Sequence, residues 1–474
     1  MSEKYDLAII GAGSGGLTAA QVGAQVGARV ALIEKHRIGG DCTWTGCVPS
    51  KALLKAAKVA QQTRLASRFG LTAALEPVNL KAVMAYVRSS IAAIYQHEEP
   101  RTLGAQGIDV VMGQARFADP QTLAITMAEG EKRIVAKNIL ICAGARPRLP
   151  QIRGFSEVPY LTYETIFEME TLPEKFVVMG GGPVGIEMAQ AFLRLGSDVT
   201  LLHSRPRLLP KDEPEAAAVL TRCLQAEGAK LFLDARVFSV AQTSCGMTLR
   251  ANVGEFCCDA LLVATGRAPN IDTMALEKAG VQFSEKGIPV DENLQTNVKH
   301  IYAAGDCLGG PQFTHYAAYQ AFIAARNALF PGSLKGLAQS VPWTTFTDPE
   351  IAHAGLTEAE ARVKYGDNLE ARVVEMGRVD RAVTESDTSG FIKVIHKKDG
   401  TVVGATVVAE RAGEVIHEWA IAIAQNWKIS ELSSMIHVYP TYSIANQQLA
   451  SEYSLERFLR GSAGKILKRL SGLR

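Results

Sequence analysis

Two cysteines separated by four residues are the strongest chemical signal in this 474-residue chain. Cys42 and Cys47 lie in the segment GGDCTWTGCVPSKALLKAAK, directly before a good helical sequence with Pro49 near its start. On a regular α-helix, Cα atoms five residues apart are about 8 to 9 Å from each other, which is too far for a disulfide. The chain must therefore distort between the cysteines, most cheaply at Gly46. This spacing predicts a redox-active pair whose disulfide is easily reduced.

The position of Cys47 favours a reactive thiolate. A helix N-terminus and the nearby Lys51 both stabilise negative charge, so we expect a lowered pKa for this thiol. The alternatives are two unconnected buried thiols or a zinc site, and zinc is disfavoured because no second Cys or His pair has ligand spacing. No metal ligands are therefore assigned. Cys257 and Cys258 lie in a predicted strand, where successive side chains point to opposite faces, and we interpret them as packing residues.

A strand–helix–strand unit precedes the cysteine pair. Residues 5–34 run from an apolar strand through a glycine turn into an Ala-rich helix and a second strand. Gly11, Gly13 and Gly16 have the GxGxxG spacing, which allows a tight turn, close approach of a pyrophosphate and close packing of the helix on the strand. Glu34 ends the second strand, where a carboxylate can accept hydrogen bonds from adenosine ribose hydroxyls. The unit predicts a dinucleotide site.

The same pattern returns 169 residues later, at residues 176–203. Gly180, Gly182 and Gly185 repeat the glycine spacing between a second pair of apolar strands. A second nucleotide site is therefore expected.

The end of the second unit differs from the end of the first. His203 occupies the position equivalent to Glu34, and Arg205 and Arg207 follow it. An acid would repel a 2′-phosphate, whereas two arginines without that acid suit one. The sequence thus favours NADPH over NADH, and the alternative is that these arginines belong to a solvated loop.

Three further apolar segments end in a small residue and a glycine, where the backbone can bend sharply and approach a ligand or another backbone segment closely. The segments are ILICAGARP at 139–147, LLVATGRAPN at 261–270 and IYAAGDC at 301–307. Asp306 follows the third strand and is a candidate acceptor for a flavin ribityl hydroxyl, or else a turn aspartate. Thr314 and His315 are expected to open an Ala-rich helix whose N-terminus would stabilise a reduced, anionic flavin.

Length and composition limit the class of protein. The chain is long enough for about three domains. Its 50 Lys+Arg and 48 Asp+Glu give a net charge of +2, so no nucleic-acid partner is indicated and a small-molecule partner is expected. The N-terminal sequence enters a strand almost at once, and no stretch approaches 18 apolar residues, so we expect a cytoplasmic protein without a spanning helix.

The predicted fold is α/β, with two Rossmann-like dinucleotide-binding domains and a C-terminal α+β dimerisation domain. From Pro342 the pattern changes to β-rich segments and amphipathic helices without a phosphate loop, which favours oligomerisation. The predicted boundaries are 1–150 for the first part of the FAD domain, 151–270 for the NAD(P) domain, 271–340 for the central part of the FAD domain and 341–474 for the dimerisation domain.

The C-terminal tail carries basic and apolar residues at helical spacing. A helix of this kind can lie on an anionic membrane surface. We favour a solvated extension of the dimerisation domain, because Gly461 and Gly464 weaken a continuous helix. The residues are Arg457, Arg460, Lys465, Ile466, Leu467, Lys468, Arg469, Leu470, Leu473 and Arg474.

The segment GGDCTWTGCVPSK resembles the redox-active disulfide motif of the class I pyridine nucleotide-disulfide oxidoreductases, flavoenzymes that include glutathione reductase, lipoamide dehydrogenase and mercuric reductase. The resemblance extends over nearly the whole chain, through GQARF at 113–117, ATGRAPN, IYAAGD, FTDPEIAHAGLTEAEAR at 346–362 and SGFIKVI. It implies FAD, NAD(P) and interface domains in a homodimer with an active site shared between subunits. It further implies that Cys47 lies next to the flavin, that Cys42 meets the acceptor, and that Lys51 lies beside flavin N5, paired with Glu187.

The motifs and the resemblance together give the candidate site residues. The candidate catalytic residues are Cys42, Cys47, Lys51, Glu187 and Tyr439. The candidate FAD-binding residues are Gly11, Gly13, Gly16, Glu34, Gly40, Lys51, Ala115, Gly144, Asp306, Thr314 and His315. The candidate NAD(P)-binding residues are Gly180, Gly182, Gly185, Glu187, Arg205, Arg207 and Gly266.

One departure from the family pattern bears on the acceptor. Glutathione reductase and lipoamide dehydrogenase carry a C-terminal motif resembling HPTxSE, whose His and Glu form an acid/base dyad, whereas this chain has Tyr439 and Ile444 at those positions. A phenol with a pKa near 10 is a poor base at neutral pH, so glutathione and dihydrolipoamide are disfavoured. His437 is an alternative base, although it need not point toward the same site.

Tyr at this position is similar to mercuric reductase, in which thiolates and a hydroxyl handle a soft metal ion. The chain lacks the vicinal C-terminal cysteines and the N-terminal metal-binding extension of those enzymes. We therefore expect a mercuric-reductase-like NADPH oxidoreductase that reduces a soft metal ion or a disulfide. The alternatives are a dihydrolipoamide dehydrogenase-type enzyme and a redox-sensing flavoprotein without turnover.

Overall fold

The fold was analysed in a computed structural model that describes residues 3–471. Its strands are β1 Glu3–Ile10, β2 Val30–Glu34, β3 Ile108–Met112, β4 Gln114–Phe117, β5 Thr122–Met127, β6 Gly130–Ile141, β7 Ala145–Pro147, β8 Lys175–Met179, β9 Asp198–Leu202, β10 Lys230–Phe232, β11 Val237–Thr243, β12 Gly246–Ala251, β13 Gly254–Cys258, β14 Ala260–Val263, β15 Arg267–Pro269, β16 Ile301–Ala303, β17 Trp343–Thr345, β18 Glu350–Gly355, β19 Leu369–Glu375, β20 Phe391–Lys397 and β21 Val402–Ala409.

The α-helices alternate with these strands in the first two thirds of the chain and cluster at its end. They are α1 Ser14–Gln25, α2 Gly40–Trp44, α3 Cys47–Arg64, α4 Leu80–Tyr95, α5 Pro100–Ala105, α6 Pro183–Leu195, α7 Pro214–Ala226, α8 Thr314–Leu329, α9 Glu358–Tyr365, α10 Asp380–Thr384, α11 Ala412–Val415, α12 His417–Ala424, α13 Ile429–Leu432, α14 Ile444–Arg460 and α15 Ser462–Leu470.

The first glycine motif lies in a seven-stranded sheet. Strands β3, β2, β1 and β6 are parallel, β16 adds to β6 in parallel, and β5 and β4 extend the sheet in antiparallel fashion. The apolar sides of α1 and α8 pack on one face, because both helices present small residues such as Ala20 and Ala324. The carboxyl ends of the parallel strands therefore meet beside the N-termini of both helices.

The second glycine motif lies in a smaller parallel sheet with the order β10-β9-β8-β14. Its core residues from α6 and α7 continue into those of α3 and α4, so that Phe192 and Leu53 belong to one apolar cluster. This shared core fixes the helix that follows the cysteine pair against the helix of the second glycine motif.

A three-stranded antiparallel sheet, β11-β12-β13, accompanies the second sheet and corrects one prediction. Cys258 is buried and Cys257 is exposed, as expected for neighbours on a strand. Cys257 is not a packing residue, however, because it forms a disulfide with Cys245 in the turn before β12. The sequence pattern did not indicate Cys245 as the partner. The two cysteines become neighbours only through the pairing of β12 with β13, and a local sequence pattern does not specify that register.

The C-terminal part forms a five-stranded antiparallel sheet, β17-β18-β21-β20-β19. Its apolar face packs on α12 and α14 around the fully buried Trp419, whose indole N–H donates to Asn446 Oδ1 at 2.7 Å. The order of the sheets follows the predicted domain order, and the boundaries at 150, 270 and 340 stay predictions.

The tail forms two helices that meet at Gly461, where the backbone is extended. The predicted interruption therefore occurs at this glycine, whereas Gly464 is accommodated inside α15. The side chains of Ile466, Leu467 and Leu470 are exposed; Leu473 and Arg474 lie outside the described residues. Within residues 3–471, no helix has the length and apolar character required to cross a membrane.

Candidate active site

The first glycine loop has no room for side chains at two of its three glycines. Gly11 has a φ of +100°, and a Cβ there would lie 2.3 Å from the carbonyl oxygen of Cys142. A Cβ at Gly16 would lie 1.8 Å from the carbonyl oxygen of Gly11. Gly13 caps α1, whose unpaired N-terminal amides face a large cavity. This arrangement fits a dinucleotide pyrophosphate.

Glu34 lies at the end of β2 and stabilises the first glycine loop through hydrogen bonds to backbone amides. Its Oε2 accepts a hydrogen bond from the Ala12 amide, and its Oε1 accepts one from the His36 amide, both at 2.8 Å. The side chain is buried but lines the cavity, so the remaining lone pairs are available to ribose hydroxyls.

The other predicted FAD residues line the same cavity, which has a volume of about 2810 Å³ and spans both glycine loops. Gly40 and Gly144 have φ values of +57° and +68°, so both lie where L side chains are rare. Ala115 is buried in β4 and lines the same cavity.

Asp306 belongs to a half-buried ionic network that the sequence alone did not indicate. Its Oδ2 lies 3.0 Å from Arg267 Nη1, and the same guanidinium also pairs with Asp41. Burial raises the pKa of both carboxyls, an effect that the Arg267 charge opposes. Within the described residues, the Arg267 Nε hydrogen has no acceptor, which leaves a buried donor at the edge of the cavity. In the sequence, only the position of Arg267 in the motif ATGRAPN indicated that this residue belongs to the site.

The backbone between the two cysteines distorts at the predicted place. The helix α2 ends at Trp44, α3 starts at Cys47, and Gly46 between them adopts φ −121° and ψ −110°. A Cβ at Gly46 would lie 2.8 Å from the Asp41 carbonyl oxygen, so the chain packs too closely for a side chain. Both cysteines are free thiols here, and they are close enough for each to shift the pKa of the other.

The two thiols differ in acidity. The interaction with the Cys42 thiol lowers the pKa of Cys47, and the Thr314 hydroxyl at 3.2 Å and the Lys51 charge lower it further, against the opposing effect of burial. The same pairing raises the pKa of Cys42, and burial adds to the rise. Cys47 is therefore the thiolate of the reduced pair, and Cys42 retains the proton.

Lys51 joins the two nucleotide units. Its Nζ lies 3.0 Å from Glu187 Oε2 and 4.3 Å from the ring centroid of Phe346. The Phe346 amide donates to the other oxygen of Glu187 at 2.9 Å. This contact ties the C-terminal part to the site, and in the sequence only the FTDPE segment indicated it.

The helix α8 begins at Thr314, as predicted. Thr314 reaches Cys47, whereas the His315 ring lies 2.8 Å from the Pro342 carbonyl oxygen through Nε2. The first turn of α8 therefore lies against the cysteine pair, and His315 connects that turn to the C-terminal part.

The second glycine loop repeats the steric pattern of the first. Gly180 has a φ of +124°, and a Cβ there would lie 2.2 Å from the Ala264 carbonyl oxygen. A Cβ at Gly185 would lie 2.0 Å from the Gly180 carbonyl oxygen, whereas one at Gly182 would meet no described atom within 4 Å. The open side of Gly182 faces the cavity, which Gly266 also lines, and it leaves space for a second pyrophosphate.

His203 takes the place of the acid in this second loop. Its Nδ1 accepts a hydrogen bond from the Gly181 amide at 3.0 Å, and Nε2 has no partner among residues 3–471. Burial lowers the His203 pKa, and the Arg205 charge lowers it further. The ring is thus neutral at neutral pH, and its Nε2–H is a buried donor in a residue that lines the cavity.

The two predicted arginines behave differently. The Arg207 guanidinium donates to the carbonyl oxygens of Leu209, Pro210 and Asp212, so it holds the loop and is not free for a phosphate in this conformation. Arg205 lines the cavity and makes no side-chain hydrogen bond or ion pair within the described residues. The phosphate assignment therefore remains a prediction that rests on Arg205.

The C-terminal candidates do not line the cavity that contains the cysteine pair. The exposed Tyr439 donates its hydroxyl to Asp380 Oδ2 at 2.7 Å, which raises its pKa. His437 pairs instead with Glu418, at 2.8 Å from Nε2 to Oε2, and its side chain is 9% exposed. The structure thus gives each ring a carboxylate partner from a distant part of the chain.

Comparisons with known proteins agree with this geometry. Residues 5–321 match the family model described as pyridine nucleotide-disulphide oxidoreductase, and residues 341–450 match its dimerisation domain. Mercuric reductase of Acidithiobacillus ferrooxidans is 35% identical over 93% of this chain and 81% of its own length. Mercuric reductase of Streptomyces lividans is 36% identical over 95% of this chain and 96% of its own.

Solved structures give the same result. The Cu(II) complex of a mutant of the HOCl-induced flavoprotein disulfide reductase RclA from Escherichia coli superimposes with a TM-score of 0.87 at 27% identity, covering 95% of this chain and 99% of that one. LpdA from Mycobacterium tuberculosis has a TM-score of 0.87 at 28% identity, with the same coverage. The predicted fold class and family are confirmed. The chain belongs to the class I pyridine nucleotide-disulfide oxidoreductases, homodimeric enzymes that use FAD and a nicotinamide cofactor.

Proposed function

We propose that this enzyme oxidises NADPH and reduces a small acceptor, a soft metal ion in preference to a disulfide, through Cys47 and Cys42. The observation that carries this proposal is the pair of adjacent thiols with opposed acidities beside Lys51. The likeness to mercuric reductases over more than nine tenths of the chain supports the metal acceptor.

The proposed role of Cys47 is to exchange electrons with the cofactor side. When bound, FAD accepts an electron pair from the nicotinamide and passes it to a disulfide. Thr314 and Lys51 stabilise negative charge on the Cys47 sulfur, and Glu187 holds the Lys51 ammonium in position. These contacts favour the thiolate form of Cys47 in the reduced enzyme.

The proposed role of Cys42 is to meet the acceptor. Its pKa is raised, so the thiol carries the proton of the reduced pair. With a divalent ion that takes up two electrons, one NADPH reduces one ion to the neutral metal and one proton is released; an ion that takes up one electron, such as Cu(II), is reduced two per NADPH, again with one proton released. With a disulfide, one NADPH and one proton yield two thiols. The two acceptor classes therefore differ in the sign of the proton change.

Tyr439 supports the metal acceptor. Its raised pKa keeps the phenol protonated at neutral pH, so it cannot serve as the general base that thiol chemistry requires. Asp380 fixes the hydroxyl. We assign Tyr439 to acceptor binding in the partner subunit's site, and Asp380 to its positioning.

A disulfide or dithiol is the second candidate acceptor, as in a dihydrolipoamide dehydrogenase-type enzyme. His437 and Glu418 form a His–carboxylate pair, which is the arrangement that a general base needs. The ring faces its own α12, however, so it would have to turn outward to reach a partner site. This requirement places the disulfide second.

We infer NADPH as the preferred nucleotide and the cytoplasm as the compartment. Arg205 lines the cavity, and the neutral His203 ring near it brings no negative charge that would repel a 2′-phosphate. A reducing compartment would also keep the Cys42–Cys47 pair in its working thiol form.

An acceptor screen tests the proposal. Steady-state NADPH oxidation would be measured with Hg(II), Cu(II), quinones and small disulfides, in parallel with a Cys42→Ser variant; Cu(II) is included because the similar RclA structure is a Cu(II) complex. We expect turnover with a soft ion, one proton released per NADPH, and loss of that activity in the variant. Activity that survives the substitution would mean that electrons leave directly from flavin. Reduction of flavin and thiols without turnover on any acceptor would indicate a redox sensor instead.

A further inference from the structure

The disulfide between Cys245 and Cys257 lies outside the site described above. Cys245 is in the turn between β11 and β12, and Cys257 is on the outward face of β13. Neither residue lines the large cavity, and both are exposed. A thiol reductant or a metal ion in solution can therefore reach this pair without entering the nucleotide cavity.

The sheet itself keeps these two positions together. In the register of β12 and β13, Thr248 lies directly opposite Cys257, and Met247 lies opposite Cys258. Cys245 directly precedes Gly246, the first residue of β12, and Gly246 pairs with Thr243 of β11. The backbone ladder therefore fixes both cysteines independently of the S–S bond, so the sulfurs remain neighbours after reduction.

Two threonine hydroxyls surround the sulfurs. Thr243 Oγ1 lies 3.2 Å from Cys245 Sγ. Thr248 Oγ1 lies 3.4 Å from Cys245 Sγ and 3.6 Å from Cys257 Sγ. Hydroxyl groups at these distances can donate to thiolates, which stabilises the deprotonated form that binds metal.

We propose that Cys245 and Cys257, once reduced, form a second binding site for a soft divalent cation. Opening the S–S bond takes two electrons and two protons from an external dithiol, which becomes a disulfide. Binding then breaks two S–H bonds, forms two metal–sulfur bonds and releases two protons. The oxidised pair has no thiolate to offer, so this site is open only under reducing conditions. The inference goes beyond the proposed function, because this site binds a cation away from the redox pair.

Mercuric ion is the probe for the test. A Cys42→Ser/Cys47→Ser variant serves as the background, so binding is measured without the redox pair. After reduction by a dithiol and removal of the reductant, Hg(II) titration would be followed by thiolate-to-metal charge-transfer absorption and by native mass spectrometry. We expect one equivalent to bind to the reduced protein and none to the untreated protein. Adding Cys245→Ser and Cys257→Ser should abolish the binding.

The matched control is Cys223→Ser in the same background, because Cys223 is a partly buried thiol outside the pair. It should retain the full equivalent. Flavin content, measured for every variant, shows that each protein is folded. The inference is overturned if the reduced background protein binds no Hg(II), or if removing Cys245 and Cys257 leaves the bound equivalent unchanged. The proposed NADPH activity would be untouched by either result, because it is measured with Cys42 and Cys47 in place.

Discussion

The two strand–helix–strand units are built alike at their glycine loops. Gly11 and Gly180 both have positive φ, and a Cβ on either would lie within 2.3 Å of a backbone carbonyl oxygen. Gly16 and Gly185 both leave no room for a Cβ against the carbonyl oxygen of the first glycine. These steric requirements do not depend on the nucleotide, so the loop geometry alone cannot distinguish one cofactor from the other.

The units diverge where the second strand ends. In the first unit, Glu34 accepts a hydrogen bond from the Ala12 amide at 2.8 Å. In the second, His203 accepts a hydrogen bond from the Gly181 amide at 3.0 Å. The same backbone position is therefore held by a carboxylate in one unit and by a neutral ring in the other. The side chain therefore retains its structural role in both units, and its charge is the feature that we propose selects the ribose substituent.

The largest expected effect comes from breaking the shared loop geometry. Gly16→Ala places a Cβ 1.8 Å from a backbone carbonyl oxygen, so the loop must shift, at a cost of about 3 kcal/mol or more. We expect little soluble protein and flavin content far below one per chain, measured by absorbance. Gly104→Ala in α5 is the control, since its Cβ would meet no described atom within 4 Å. Full flavin content in the Gly16→Ala protein would show that the loop is not under this constraint.

The next-largest effect is expected from a substitution that introduces a negative charge at His203, at the end of the second unit. His203→Glu would reproduce the arrangement of Glu34, because a carboxylate can also accept the Gly181 amide. Repulsion of a 2′-phosphate should lower the NADPH/NADH ratio of kcat/KM by about 10- to 100-fold, equivalent to about 1.4 to 2.8 kcal/mol. His203→Gln is the uncharged control and should change the ratio much less. An unchanged ratio in the His203→Glu variant would remove this residue from cofactor selection.

The structure agrees with the sequence pattern where a few neighbouring residues carry the steric or chemical requirement. The glycine spacing predicted both loops, and the separation of the cysteines predicted a distortion that occurs at Gly46. The start of α8 at Thr314 also followed from local sequence. In each case, a few neighbouring residues determine the backbone conformation.

The remaining features depend on long-range register. The Cys245–Cys257 bond requires the pairing of β12 with β13, and the Asp380 contact with Tyr439 joins residues 59 positions apart. Arg207 looked like a phosphate ligand because its basic charge is visible in the sequence, whereas the carbonyl oxygens that engage it are not. Such partners become known only when the tertiary structure is available.

A smaller effect concerns the contact that joins the two units. Glu187→Gln removes the charge that holds Lys51 while its amide oxygen can still accept the Phe346 N–H. A hydrogen bond between charged groups contributes about 1.5 to 3 kcal/mol, so we expect reduction by NADPH to slow about tenfold in stopped-flow measurements. In a double-mutant cycle, Lys51→Gln/Glu187→Gln should be no slower than Lys51→Gln alone. Additive losses would mean that the two residues act separately.

The smallest expected effect concerns the Cys47 thiolate, which lies beside the first strand–helix–strand unit and has no counterpart in the second. The lowered pKa of Cys47 means that the thiolate is present above this pKa and is lost as the pH falls through it. Thr314→Val removes one hydroxyl donor, worth about 1 kcal/mol, and should raise the half-point by less than about one pH unit, since one unit corresponds to about 1.4 kcal/mol.

The measurement is the alkylation rate of Cys47 in the reduced enzyme across a pH series, followed by peptide mass spectrometry. Thr314→Ser retains a hydroxyl and should keep the wild-type half-point. If Thr314→Val and Thr314→Ser titrate alike, the hydroxyl does not contribute, and the acidity of Cys47 rests on Cys42 and Lys51 alone. Among the described residues, Thr314 provides the only side-chain hydrogen bond from α8 to Cys47. That result would therefore mean that residues of the cysteine segment alone set the acidity of Cys47.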